Sequence, residues 1–308
     1  MKPHRLIAFV FSAAVLVLVT TACGGGDAGG GVITADGSST VGPFVTKAAE
    51  DFKAEQDIDV TVGISGTGGG FERFCAGETD LANASRPIDE DEEVLCEDGG
   101  VEYIEFRVAT DALTNVVNTE NDWATCLTVD QLNAIWKPGS KVANWSQVDP
   151  SFPDVPLKLY GAGTDSGTFD YFTGVINGEE GASRSDYSAT EDDNVTVQGV
   201  SGDRGALGYF GFSYFEENQD KLKALEVDGG GGCVAPSIAA AQDDSYTPLS
   251  RPLFVYAKQG SFDDSEDVRN FVKFMLDNNE TIATAAQFVP LSPDQVAEQQ
   301  ATYEDATP

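Results

Sequence analysis

From residue 32 onward, short apolar runs alternate with amphipathic ones, and the spacing of apolar positions switches repeatedly between strand-like and helix-like periods. Residues 32–35 and 59–64 alternate as strands, whereas Val45, Ala48, Ala49 and Phe52 recur at helical spacing within 45–56. The pattern next predicts a helix over 70–76, a short apolar strand over 81–85, and two strand pieces within 101–117 on either side of Thr110 and Asp111. Further along it predicts helices over 127–136, opened by Thr128, and over 169–176, with strands over 157–160, 207–212 and 253–257. The clearest amphipathic helix spans 263–276, with Val268, Phe271, Val272, Met275 and Leu276 on one face. Strands that alternate with helices in this way predict an α/β protein. Trp136, Trp145 and most Phe and Tyr residues read as core.

Three loops rich in glycine and hydroxyl residues punctuate this pattern, each leading into a predicted helix: Asp36-Gly-Ser-Ser-Thr-Val-Gly-Pro43, Gly63-Ile-Ser-Gly-Thr-Gly-Gly-Gly-Phe71 and Gly161-Ala-Gly-Thr-Asp-Ser-Gly-Thr-Phe169. A helix N-terminus carries unpaired N–H groups and partial positive charge, and glycine lets a ligand approach the backbone. A single loop of this kind is an ordinary helix cap. Three of them, each following a predicted strand, point to one oxyanion site at the C-terminal ends of an α/β sheet.

Composition narrows the chemistry. Lys2 and Arg5 precede an apolar run to Val19 that is short for a membrane span and ends in Thr20-Thr-Ala-Cys23, the pattern of a secretory leader. Residues 1–22 are therefore expected to be a signal peptide. A cysteine directly after such a cleavage site resembles the lipobox of bacterial lipoproteins, so Cys23 is the expected lipidation site and residues 23–31 a glycine-rich tether. Cys75, Cys96, Cys126 and Cys233 form an even set in an exported chain and are expected to make two disulfides; spacing favours Cys75 with Cys96 and Cys126 with Cys233. No spacing of a metal site is present, and no cofactor is expected. His4, the sole histidine, lies in the leader, which excludes catalysis by a Ser-His-Asp or Cys-His set in the mature chain. With 18 Lys plus Arg against 51 Asp plus Glu, the formal charge of −33 argues against nucleic acid and anionic membrane surfaces as partners. An anion ligand then needs local positive charge, and the rare arginines become informative.

Taken in order, Asp36-Gly-Ser-Ser-Thr, Gly-Thr-Gly-Gly-Gly, Asp80-Leu-Ala-Asn-Ala-Ser-Arg-Pro87, Thr164-Asp-Ser-Gly-Thr-Phe169, Gly205-Ala-Leu-Gly-Tyr209 and Pro248-Leu-Ser-Arg-Pro-Leu253 resemble the phosphate-binding PstS-type receptors of bacterial ABC transporters. The resemblance implies a type II periplasmic-binding-protein fold, two α/β lobes with a ligand cleft between them. Lobe 1 would comprise 32–112 plus 250–308, and lobe 2 would comprise 114–247. It places ligand-binding positions on Ser39, Thr40, Thr67, Ser166, Gly167 and Thr168. Two family positions differ here. An Asp that accepts the proton of hydrogen phosphate is replaced by Arg86, and an Arg four residues before the Ser of the Ser-Gly-Thr loop is replaced by Ala162.

Arg86 is accordingly expected to supply bidentate hydrogen bonds to the anion. Arg204 and Arg251 are further candidates, with Arg251 expected mainly to stabilise the crossing between lobes. Asp165 or Asp203 is expected to replace the missing proton acceptor. The expected activity is that of a monomeric, lipid-anchored extracytoplasmic receptor, not an enzyme, that delivers inorganic phosphate to an ABC permease. The competing readings are a receptor for another tetrahedral oxyanion such as sulfate, a phosphatase using Ser39 or Ser166, and a structural lipoprotein whose glycine loops are only caps.

Overall fold

The computed structural model describes residues 32–308. The expected leader and the whole tether, Cys23 included, lie outside the described residues. The chain runs through β1 (Ile33–Gly37), α1 (Gly42–Gln56), β2 (Val60–Val62), α2 (Gly66–Cys75), β3 (Leu81–Ala84), α3 (Glu90–Gly99) and the long β4 (Tyr103–Asn118). It continues through β5 (Cys126–Thr128), α4 (Val129–Trp136), β6 (Lys158–Ala162), α5 (Gly167–Asn177), β7 (Ser188–Thr190), α6 (Asp193–Ser201), β8 (Ala206–Gly211) and α7 (Phe212–Glu216). Short β9 (Leu222–Ala224), β10 (Glu226–Asp228), β11 (Cys233–Val234) and α8 (Ile238–Gln242) follow. The last elements are β12 (Ser250–Lys258), α9 (Gln259–Asp264), α10 (Glu266–Asp277), α11 (Asn279–Ala285) and α12 (Pro293–Ala306).

A nine-stranded sheet has the order β2-β1-β3-β12-β4-β8-β6-β7, with β9 also paired to β4. Its two ends are parallel, β2-β1-β3 on one side and β8-β6-β7 on the other. The antiparallel strands β12 and β4 join them. β4 pairs with β12 through Ala112 and with β8 from Leu113 onward, so one continuous strand serves both ends. The expected break at Thr110 and Asp111 is absent, because both residues stay in register, Thr110 with Pro252 and Asp111 with Arg251.

The apolar core divides as the sheet does. One cluster unites Phe44, Phe52, Phe106, Phe271 and Met275 with the β1-β3-β12 end, and another unites Trp136, Trp145, Phe172 and Tyr209 with the β6-β8 end. All five residues expected on the apolar face near residue 270 are buried, each stabilising the fold by roughly 1.5–3 kcal/mol. That segment is nevertheless two helices. Ser265 ends α9 and caps α10, its side chain accepting the Val268 N–H. Asp89 and Glu92, within a run of acidic residues at 89–93, form a reciprocal capping box at the start of α3.

Both expected disulfides are present, Cys75–Cys96 tying α2 to α3 and Cys126–Cys233 tying β5 to β11. Among the described residues no helix is long and apolar enough to cross a membrane.

Candidate functional site

Each glycine loop lies at the C-terminal end of a parallel strand, and the following helix starts where the strand stops: β1 into α1, β2 into α2, β6 into α5. α2 begins earlier than its apolar pattern predicts. Gly66 to Gly70 form its first turns instead of a preceding loop. The reason is packing: a Cβ on Gly70 would sit 2.5 Å from Gly37 Cα, so glycine alone lets this helix press onto the end of β1. Gly37 itself has φ 140°, and a Cβ there would lie 2.2 Å from the Asn83 carbonyl oxygen.

A cavity of about 300 Å³ opens where these helix starts converge. Ser38, Ser39 and Thr40 line it from the start of α1, Gly66, Thr67 and Gly68 from α2, and Gly167, Asp170 and Tyr171 from α5. Ser85, Arg86, Glu180 and Arg251 complete the lining. The first-turn N–H groups of α2 and the Gly167 N–H of α5 precede the first i→i−4 bond of their helices and remain available to an anion, whereas the Thr168 and Phe169 N–H groups bond Ser166. Hydroxyls are fixed around them: Thr67 Oγ1 lies 3.1 Å from Ser85 Oγ, and Thr40 Oγ1 accepts from Arg251 Nη2 at 3.0 Å.

Of the residues expected to bind the ligand, Ser39, Thr40, Thr67, Arg86 and Gly167 therefore share one cavity. Ser166 and Thr168 line an adjoining cavity of about 200 Å³ that shares Ser39, Thr40 and Gly167 with the first. Ser166 Oγ also accepts the Thr168 N–H and so caps α5.

The two arginines of the cavity differ in their commitments. Arg86 spends its fork on Glu92, with both contacts at 2.7 Å, and donates to the Pro87 carbonyl as well. Glu92 therefore occupies the bidentate face expected to meet the anion. Arg251 sits on β12 directly opposite Asp111 of β4. Its Nε and Nη2 each lie 3.2 Å from Asp111 Oδ2, and its guanidinium carbon lies 3.8 Å from the Tyr171 ring centroid. Burial pushes the Asp111 carboxyl upward, and Arg251 works against that rise. Tyr171 donates its hydroxyl to the Pro248 carbonyl, and burial pushes its phenol above its usual range. Arg204 lies elsewhere, paired with Asp122 and stacked over Trp123.

The expected proton acceptors do not face the cavity. Asp165 is exposed and lies outside the cavity lining. Asp203 precedes β8 and pairs with Lys158 at 2.6 Å, at the strand end opposite the glycine loops. The carboxylates that do line the cavity are Asp170, in the first turn of α5, and Glu180, just past that helix. Neither belongs to a sequence motif, but Asp170 stands three residues after Gly167, one helical turn along the same face.

One more carboxylate organises the site from behind. Asp36, buried at the end of β1, accepts the Gly37 N–H at 2.7 Å and the Ser65 N–H at 3.0 Å, and pairs with Arg73. It thereby joins the first glycine loop to the second.

Comparison with known proteins places this geometry. A family model described as a PBP superfamily domain matches residues 24–279. Protein SphX of Synechocystis is 46% identical over 290 residues, which is 93% of this chain and 86% of that protein. The phosphate-binding protein PstS of Staphylococcus saprophyticus is 40% identical over 281 residues, 90% of this chain and 86% of that one. Among solved structures, that of a possible phosphate binding protein from Planctomyces limnophilus superimposes with a TM-score of 0.84 at 46% identity, covering 90% of this chain and 98% of that chain. The fold is thus the type II periplasmic-binding-protein arrangement of two α/β lobes, and the chain belongs to the PBP superfamily and, within it, to the family of PstS-type phosphate-binding proteins.

Proposed function

We propose that this protein is an extracytoplasmic receptor that captures inorganic phosphate and hands it to an ABC permease. The observation that carries this reading is the convergence of three helix N-termini, those of α1, α2 and α5, on one cavity that also holds Arg251. Ser39, Thr40, Thr67 and Gly167 offer donors from the cavity wall, Ser166 and Thr168 from the adjoining one, and Arg86 stands at the rim. We read the two core clusters as lobes 32–112 plus 250–308 and 114–247, which close on the ligand about β4 and β12. Cys23 would carry the lipid that holds the monomeric receptor at the outer face of the membrane.

Asp170 and Glu180 favour phosphate over sulfate. A carboxylate beside the anion repels a fully ionised ligand, whereas hydrogen phosphate brings a proton that a carboxylate accepts. The hydroxyls of the site suit binding better than catalysis: Thr40 receives from Arg251, Thr67 bonds Ser85, and Ser166 caps α5, so none of them meets a side-chain base among the described residues.

Titrating phosphate-stripped protein by calorimetry tests the reading. Phosphate should saturate one site per chain, with sulfate weaker by on the order of 100-fold or more. Turnover of a generic phosphoester, or equal affinity for the two anions, would overturn it.

A further inference from the structure

We infer that the positive charge meeting the anion is carried by Arg251, seated by Asp111, and that Arg86 is a rim residue held by α3. This assignment rests on the phosphate reading. Three observations lead to it.

The donors differ first. Arg86 Nη1 and Nη2 are both taken by Glu92, and Asp89 lies 3.3 Å away as a second counter-charge. Arg251 uses Nε and Nη2 on Asp111 and Thr40, which leaves Nη1 without a protein acceptor among the described residues. A guanidinium anchored on one edge with its other edge free is arranged to form a charge-assisted bond to a ligand.

Solvent differs next. The Arg86 side chain is 43% exposed and that of Arg251 16%. A charge removed from water interacts more strongly with an anion, and Asp111, itself buried, offsets the cost of keeping that charge there.

Position is the third. Arg251 touches Thr40 at the start of α1, Asp111 on β4 and Tyr171 on α5, so it lies where the contributions of the two lobes meet. Arg86 touches its own neighbour Pro87 and the α3 segment, both from one lobe.

The test is a calorimetric titration with inorganic phosphate at about pH 5.5 and about pH 8, which bracket the second ionisation of the ligand, for the parent, Arg86→Gln, Arg251→Gln and the double variant Arg251→Gln with Asp111→Asn. Arg251→Gln alone strands a buried carboxylate and endangers the fold. The double variant removes both charges and carries the comparison, with thermal melting as the check on folding. Arg86→Gln should bind phosphate within about 5-fold of the parent, and the double variant should lose on the order of 100- to 1000-fold. The parent's preference for the dianion should also shrink in the double variant and persist in Arg86→Gln, a difference that a purely structural role for Arg251 would not produce. A loss in Arg86→Gln equal to or greater than that of the double variant would overturn the assignment while leaving the receptor reading intact. A parent that binds no phosphate would overturn both.

Discussion

Replacing Asp36 with Ala removes the acceptor of two backbone amides, the buried Gly37 N–H at 2.7 Å and the part-buried Ser65 N–H at 3.0 Å. A buried donor left unpaired costs about 1–3 kcal/mol, and the Ser65 amide, which water can reach, costs less, so Asp36→Ala should destabilise the fold by roughly 1–4 kcal/mol. Asp36→Asn is the informative partner. Its oxygen can still receive both amides while its NH₂ turns toward Arg73, so the loss should fall to roughly 1–2 kcal/mol. Ser65 precedes Gly66, Thr67 and Gly68 of the cavity wall, so the same loosening should weaken phosphate by about 10-fold or more in the Ala variant, a cost of about 1.4 kcal/mol. Urea unfolding gives the stabilities and calorimetry the affinities. Stability of Asp36→Ala within about 0.5 kcal/mol of the parent, or an Asn variant as damaged as the Ala variant, would refute the reasoning.

The remaining predictions concern charge, covalent ties and the membrane. Burial, reinforced by Asp192 and Glu191, pushes the Asp193 carboxyl up to about 6 from its ordinary 3.8. The folded chain thus holds this proton more tightly than the unfolded chain, and the associated stability is full below the ordinary value and lost as pH rises through about 6. Asp193→Asn should therefore raise the melting temperature at about pH 7.5 and flatten its pH dependence below that, and a variant equally destabilised at all pH values would contradict this. Opening Cys126–Cys233, which spans 107 residues, should cost about 5 kcal/mol, and opening Cys75–Cys96, which spans 21, about 3 kcal/mol. Paired Cys→Ser variants in thermal melts should show that order, and the reverse order would show that strain or residual structure outweighs loop closure. Cys23→Ser should shift the protein from the membrane fraction to soluble material or to uncleaved precursor; unchanged partition with normal maturation would defeat the anchor.

The parallel parts of the fold were legible because each βα unit writes itself twice, as a change of apolar period and as a glycine-hydroxyl loop at the junction. That signal marks the loops that carry Ser39, Thr40, Thr67 and Gly167, and the family resemblance singles out those residues within them. The signal works only for residues that follow a strand, and Arg251 opens one. It reaches the same edge of the sheet because β12 runs antiparallel to β3 and β4, a pairing of distant segments that no local pattern encodes. Arg86 draws attention for the opposite reason: its motif places it at the end of β3, while the partner that occupies it, Glu92, lies in the first turn of the following helix, where no motif marks it. Proximity to the motifs points to Asp165 and Asp203 as proton acceptors, and neither lines the cavity. Helical periodicity from Gly167 would have pointed to Asp170, whereas nothing local marks Glu180, which reaches the cavity through the turn that ends α5. The continuity of β4 across Thr110 and Asp111 was hidden because polar residues break an apolar run; here both side chains are bonded, Thr110 to Arg107 and Asp111 to Arg251, and the strand continues.

The central claim, that three helix N-termini and Arg251 form one phosphate site, is tested most directly by a crystal structure of the protein with phosphate bound. The account predicts the anion in the cavity bounded by Thr40, Thr67 and Gly167, within hydrogen-bond distance of first-turn N–H groups and of Arg251 Nη1, with Arg86 still on Glu92. Phosphate bound elsewhere, or held in that cavity by Arg86 with Arg251 withdrawn, would contradict it.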